Sequence, residues 1–189
     1  MSNQALGDRG QSLEDAFFAR ENEALRQRLR ETGGTKQKKE AFSAASGITD
    51  DAVLERLTAL NIGSDTVAAL SLVPVVVVAW ADGGIDPKER SAALSAAAEA
   101  GLDKQSASYQ LLDQWLAKRP SPELLATWKD YMRAISATMG GEAKQALKSE
   151  LLGRARRVAE ASGGFLGIGR NVSAAEQAVL DDLEAAFRD

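Results

Sequence analysis

The sequence of 189 residues contains no histidine and no cysteine, and only 5% of its residues are aromatic. Without histidine the chain has no imidazole general base, no Ser-His-Asp triad and no imidazole ligand for a metal ion. Without cysteine it has no disulfide, no thiol nucleophile and no thiolate zinc site. The metal ligands that remain are oxygen atoms, which suit hard divalent cations such as Ca²⁺ or Mg²⁺.

Charge and hydropathy narrow the class of protein further. The net charge is −4 and the pI is near 5.1. This argues against a nucleic-acid binder, because such proteins carry a patch of clustered Lys and Arg residues. The longest apolar run, 70–81, is shorter than the ~20 residues that span a bilayer. Met1 precedes a polar, charged segment, which does not resemble a signal peptide. We therefore expect a cytoplasmic protein that is not integral to a membrane.

The spacing of apolar residues predicts eight helices and no strand. Residues 12–32 are predicted to form a first helix with a partial apolar stripe that includes Phe17 and Leu25. Gly33-Gly34 ends it, and residues 33–47 are expected to be a linker. Residues 1–47 are thus predicted to be a helical arm with its linker, and residues 48–189 a compact all-α bundle of about seven helices. The arm either folds back on this body or binds a partner.

The run Val75-Val76-Val77-Val78 is the one segment that resembles a strand. No second run of this kind exists to pair with it, so a buried helix, kinked or restarted at Pro74, is expected instead. The three tryptophans, at positions 80, 115 and 128, are predicted to pack in the core rather than to stack on a ligand.

A short acidic motif follows the valine run, and a weaker echo of it lies near the end of the sequence. Asp86 suits the N-cap of a helix, Pro87 its first position and Glu89 the reciprocal capping position. Ser173 and Glu176 repeat this spacing before the last predicted helix. Residues 79–89 read Ala-Trp-Ala-Asp-Gly-Gly-Ile-Asp-Pro-Lys-Glu, and residues 159–176 read Ala-Glu-Ala-Ser-Gly-Gly-Phe-Leu-Gly-Ile-Gly-Arg-Asn-Val-Ser-Ala-Ala-Glu.

Through these two motifs, the segment 48–188 resembles the TerB-like domain family, which includes the tellurite-resistance protein TerB. The resemblance implies an all-helical fold, two acidic turns that lie close together, a suspected cation site and no assigned reaction. It also implies a role in bacterial stress or tellurite resistance. The second motif departs from the acidic pattern, because Ser162 stands where Asp82 stands in the first and residues 165–171 are inserted.

The acidic motif has two interpretations, and the sequence leaves both open. Asp82, Asp86 and Glu89 match the second half of an EF-hand loop, but the ligand positions of the first half fall on residues without oxygen side chains. A weaker divalent-cation site completed by Glu176, Asn171 or backbone carbonyls is the first interpretation. In the second, the motif only caps helices, with Gly83 supplying a turn at positive φ.

The glycine-rich insertion carries three apolar side chains, Phe165, Leu166 and Ile168, which either contact a partner or a membrane surface or pack on the bundle. The sequence thus predicts a non-enzymatic binding or scaffold module with a protein partner. It does not indicate the oligomeric state. One alternative is a self-associating structural protein whose acidic turn only caps a helix. A metal-assisted hydrolase is a third, less favoured interpretation, because no sequence motif indicates it.

Overall fold

The computed structural model describes residues 34–162 and 172–188, and all regular elements in these ranges are helical. The prediction of an all-α bundle is confirmed. No helix in these ranges is long and apolar enough to cross a bilayer. The predicted arm helix, with Phe17 and Leu25, and the loop with Phe165, Leu166 and Ile168 lie outside the described residues. The helices are α1 (34–46), α2 (Asp51–Ala59), α3 (Val73–Ala79), α4 (Pro87–Glu99), α5 (Ala107–Ala117), α6 (Glu123–Ser136), α7 (Gly141–Ser162) and α8 (Ala174–Glu184).

The linker expected over 33–47 is wrong for residues 34–46, which form helix α1. Lysine, glutamine, glutamate and alanine dominate this stretch, and all of them are good helix formers. Phe42 attaches the helix to the bundle: it is 1% exposed, and its ring meets that of Tyr131 edge-on at 6.2 Å between centroids. The packed body therefore includes α1, and it does not begin at Ile48.

The valine run forms the buried centre of the bundle. A 3₁₀ segment, Val67–Leu72, leads into α3, and Pro74 lies in the first turn of that helix. Proline is tolerated there because the first amides of a helix have no intrahelical acceptor. Helix α3 packs against α4, α6, α7 and α8, so its side chains are enclosed on most sides. The prediction of a buried helix that restarts at Pro74 is confirmed.

Two of the tryptophans, Trp115 and Trp128, are buried in the core as predicted, and Trp80 is partly buried against it. Trp128 is fully buried, and its indole Nε1 donates to the carbonyl oxygen of Leu70 at 3.0 Å. Trp80 lies partly buried at the end of α3 and donates to the carbonyl oxygen of Trp115 at 2.8 Å. Each bond satisfies a polar group inside an apolar cluster, which fixes where the aromatic ring can lie.

Candidate functional site

The first acidic motif is a tight turn followed by a capped helix. Gly83 has a φ of 92°, the left-handed conformation that glycine adopts without strain. Asp86 Oδ1 accepts from the backbone N–H groups of Lys88 at 2.6 Å and Glu89 at 2.8 Å. Glu89 Oε2 accepts in return from the N–H of Asp86 at 2.8 Å. The predicted capping box at the start of α4 is confirmed, and the Glu89 side chain in it is buried.

The second motif ends in a capping box of the same kind, at the start of α8. Ser173 Oγ accepts from the N–H of Glu176 at 3.2 Å, and Glu176 Oε2 accepts from the N–H of Ser173 at 2.6 Å. Glu176 is only 1% exposed. A buried carboxylate must be hydrogen-bonded to offset the cost of removing it from water, and the cap supplies one such bond.

A hydrogen bond joins the two motifs. The hydroxyl of Ser173 donates to Asp82 Oδ1 at 3.1 Å, joining residues that are 91 positions apart in the chain. A serine hydroxyl can donate once while it accepts, so Ser173 caps α8 and holds the first turn together. Asp82 itself is exposed. We name this group of five residues the acidic junction: Asp82, Asp86, Glu89, Ser173 and Glu176.

Among the described residues, no three of the predicted metal ligands Asp82, Asp86, Glu89 and Glu176 are grouped so that they could hold a metal ion. Across residues 34–162 and 172–188, no three or more Asp, Glu, His or Cys side chains are grouped so that they could hold a metal ion. Asp86, Glu89 and Glu176 each direct an oxygen at a backbone amide, whereas Ca²⁺ needs about 6–8 oxygen ligands. The geometry therefore favours the capping interpretation of the acidic motif.

A second surface lies where α5 passes into α6. It is a cavity of about 470 Å³ with an apolar floor and a polar rim, which we name the α5–α6 groove. Its floor includes the side chain of Trp115, which is 8% exposed, and that of Leu124. Its lining residues are Leu60, Gln114, Trp115, Ala117, Lys118, Arg119, Pro120, Ser121 and Leu124.

The rim of the groove carries two cationic side chains. Lys118 and Arg119 are both exposed, and neither forms an ion pair with another residue in the described part of the chain. The nearby carboxylate of Glu123 does not line the cavity, and a hydrogen bond with Ser121 lowers its pKa. The groove therefore offers apolar contact beside two available positive charges. The sequence pattern does not indicate it, since its walls come from α2, α5, α6 and a loop.

No family model matches the chain, and no curated protein or solved structure matches it. The described residues therefore define the class of protein only as an all-helical bundle with two linked capping boxes. The resemblance to the TerB-like family stays a prediction that rests on residues 81–89 and 162–176.

Proposed function

We propose that this chain is a non-enzymatic helical binding module whose binding surface is the α5–α6 groove. The observation that supports the proposal is the position of Lys118 and Arg119, two cations that form no ion pair within the described residues, beside a floor formed by Trp115 and its apolar neighbours. Ligand pockets combine an apolar lining with a few polar groups that fix orientation. The acidic junction has a different role, which is to hold α4 and α8 in place.

The partner that fits the groove is a protein helix with one apolar face and acidic residues beside it. An amphipathic helix laid into a hydrophobic groove is a recurrent mode of peptide recognition. Positive charges on the rim favour acidic partners by raising the rate of encounter and opposing basic competitors. The expected partner is therefore selected by its charge as well as by its apolar residues.

Three series of labelled amphipathic peptides test this proposal, each with the same apolar face and with acidic, neutral or basic flanks. Fluorescence anisotropy is expected to show binding of the acidic series that weakens as salt is added. Lys118→Glu/Arg119→Glu is expected to abolish that preference. The matched control is Lys88→Glu/Lys104→Glu, which makes the same charge change at exposed residues outside the groove. Equal binding of all three series, or no effect of the groove variant, would refute the proposal.

A divalent-cation site at the acidic junction is the second candidate function. It is favoured by one observation: Asp82 is exposed, and its carboxylate lies at the contact between the two motifs. Calorimetric titration of the EDTA-stripped protein with Ca²⁺ or Mg²⁺ tests this candidate beside Asp82→Asn, which leaves both capping boxes intact. Saturable heat that the variant loses would support a cation site. No heat from the folded wild type would leave the junction with a structural role alone.

The biological setting is proposed from the TerB-like resemblance only. That resemblance suggests a scaffold in a bacterial stress response such as tellurite resistance, acting in the cytoplasm. In a strain lacking the gene, growth on tellurite is expected to be restored by the wild type and not by Lys118→Glu/Arg119→Glu. Equal growth of the deletion strain and its parent would remove the link to tellurite.

A further inference from the structure

Three cationic residues line a small cavity between the end of α6, the beginning of α7 and the last described residues of the chain. The cavity has a volume of about 260 Å³, and we name it the basic cavity. Its lining residues are Arg133, Ser136, Ala137, Lys144, Ala186 and Arg188. None of these six is acidic, although the chain carries a net charge of −4. The basic cavity shares no lining residue with the α5–α6 groove, so it is a separate candidate site.

A buried hydroxyl at this cavity has no hydrogen bond within the described part of the chain. Ser136 is the last residue of α6 and is 7% exposed. Its Oγ finds no hydrogen-bond partner among residues 34–162 and 172–188. Buried polar groups in folded proteins are nearly always paired with protein, ordered water or a bound group. Because Ser136 lines the basic cavity, a ligand bound there supplies the acceptor that the hydroxyl lacks.

The two arginines keep donors that the described residues do not use. Arg133 is exposed and donates through Nη1 to Asp130 at 2.8 Å. Asp130 is shared, since its other oxygen lies 2.6 Å from a guanidinium nitrogen of Arg56. Arg188 is exposed and forms no ion pair in the described part of the chain. A guanidinium has five N–H donors, so both arginines can still bind an oxyanion.

The carboxylate next to Arg188 is already paired. Glu184 is close enough for the charge of Arg188 to contribute to its lowered pKa, but the main cause is a hydrogen bond from Lys148 at 2.7 Å. Glu184 does not line the basic cavity. The positive charge at the cavity is therefore available to a ligand.

This arrangement of donors suits a phosphate group. A guanidinium binds two oxygens of one oxyanion through parallel N–H groups. The donors of the basic cavity come from three segments of the chain, α6, α7 and the residues after α8. A tetrahedral dianion presents oxygens in several directions, whereas a carboxylate presents two in one plane. A nucleic acid is not favoured, because binding a polyanion requires an extended basic surface and this chain is acidic.

We propose that the basic cavity binds the phosphate group of a small, soluble phosphate monoester. Arg133 and Arg188 bind phosphate oxygens, and the hydroxyl of Ser136 donates to another. Lys144 adds a third positive charge beside the bound group. This site goes beyond the proposed function of the chain, and it does not depend on the α5–α6 groove.

Calorimetric titration of the full-length chain with inorganic phosphate and with glycerol phosphate, at constant ionic strength, tests the inference. We expect saturable heat and a rise in Tm with each ligand. Arg133→Gln/Arg188→Gln is expected to weaken binding by about tenfold or more, because charge-assisted hydrogen bonds are lost. Asp130 keeps its pair with Arg56 in this variant. The matched control is Lys88→Gln/Lys104→Gln, which removes the same charge at exposed residues outside the basic cavity.

Ser136→Ala separates a ligand contact from a structural role. The hydroxyl has no partner among the described residues, so in phosphate-free buffer the variant is expected to be at least as stable as the wild type in urea unfolding. It is expected to bind glycerol phosphate severalfold more weakly. Unchanged affinity in this variant would overturn the inference, and so would a loss of stability without phosphate.

Three further outcomes would contradict a soluble phosphate ester as the ligand. The first is neither heat nor a rise in Tm with glycerol phosphate, including the case in which inorganic phosphate alone binds. The second is equal weakening in the arginine variant and in the lysine control, which would indicate a general effect of net charge. The third is binding to vesicles that contain phosphatidic acid without binding of glycerol phosphate, which would indicate a membrane headgroup instead. None of these outcomes bears on peptide binding at the α5–α6 groove.

Discussion

Replacement of Asp86 by alanine tests whether the acidic motif is a cap or a cation site. The side chain accepts two backbone N–H groups of α4, and its backbone donates to the buried Glu89. Loss of an N-cap costs about 0.5–2 kcal/mol. We expect the upper end, about 2 kcal/mol, because the lost side chain accepts from two backbone N–H groups of α4. For a protein of this length that loss lowers Tm by roughly 4–8 °C.

Urea unfolding followed by tryptophan fluorescence measures this loss in EDTA and in excess Ca²⁺. The capping interpretation predicts the same destabilisation in both conditions. Asp86→Asn is the matched control, since asparagine keeps an oxygen acceptor at the N-cap and should cost a few tenths of a kcal/mol. The reasoning is refuted if Asp86→Ala is as stable as the wild type in EDTA, or if its destabilisation appears only when the cation is present.

Three further changes probe the core. Trp128→Phe leaves the buried carbonyl of Leu70 without its indole donor and should cost about 1–3 kcal/mol in urea unfolding. Phe42→Ala should cost about 3–5 kcal/mol, whereas an unchanged unfolding midpoint would mean that α1 is not part of the core. Burial raises the pKa of Tyr131 above its ordinary 10.0. Above that pH the folded state therefore holds more protons than the unfolded state, and stability falls as pH rises; Tyr131→Phe should reduce this fall.

The two capping boxes were predictable because their causes are local. Asp86 and Glu89, like Ser173 and Glu176, interact over three residues, so residue type and spacing are enough to indicate a cap. The helical state of the valine run was also predictable, by a less direct argument. Without a second strand-like segment its backbone groups could not be paired in a sheet.

Helix α1 shows where local pattern misleads. Its lysine-rich composition is as typical of a solvated connection as of an exposed helix, and only the contact of Phe42 with Tyr131 distinguishes the two. That contact depends on where α6 lies, and nothing within residues 34–46 determines this. Local propensity is weak, and tertiary packing supplies most of the stability of a helix of this length.

The sequence by itself determined the helical class, the two capping boxes and the exclusion of thiol and imidazole chemistry, because composition and short spacings are sufficient for each. Only the tertiary structure decided that Ser173 joins Asp82 across 91 positions, that no three carboxylates of the described residues group so that they could hold a metal ion, and that Leu60 and Lys118 line one groove. The physical reason is that burial of the apolar core sets the positions of the helices. Contacts between distant segments follow from those positions and not from the spacing of residues along the chain.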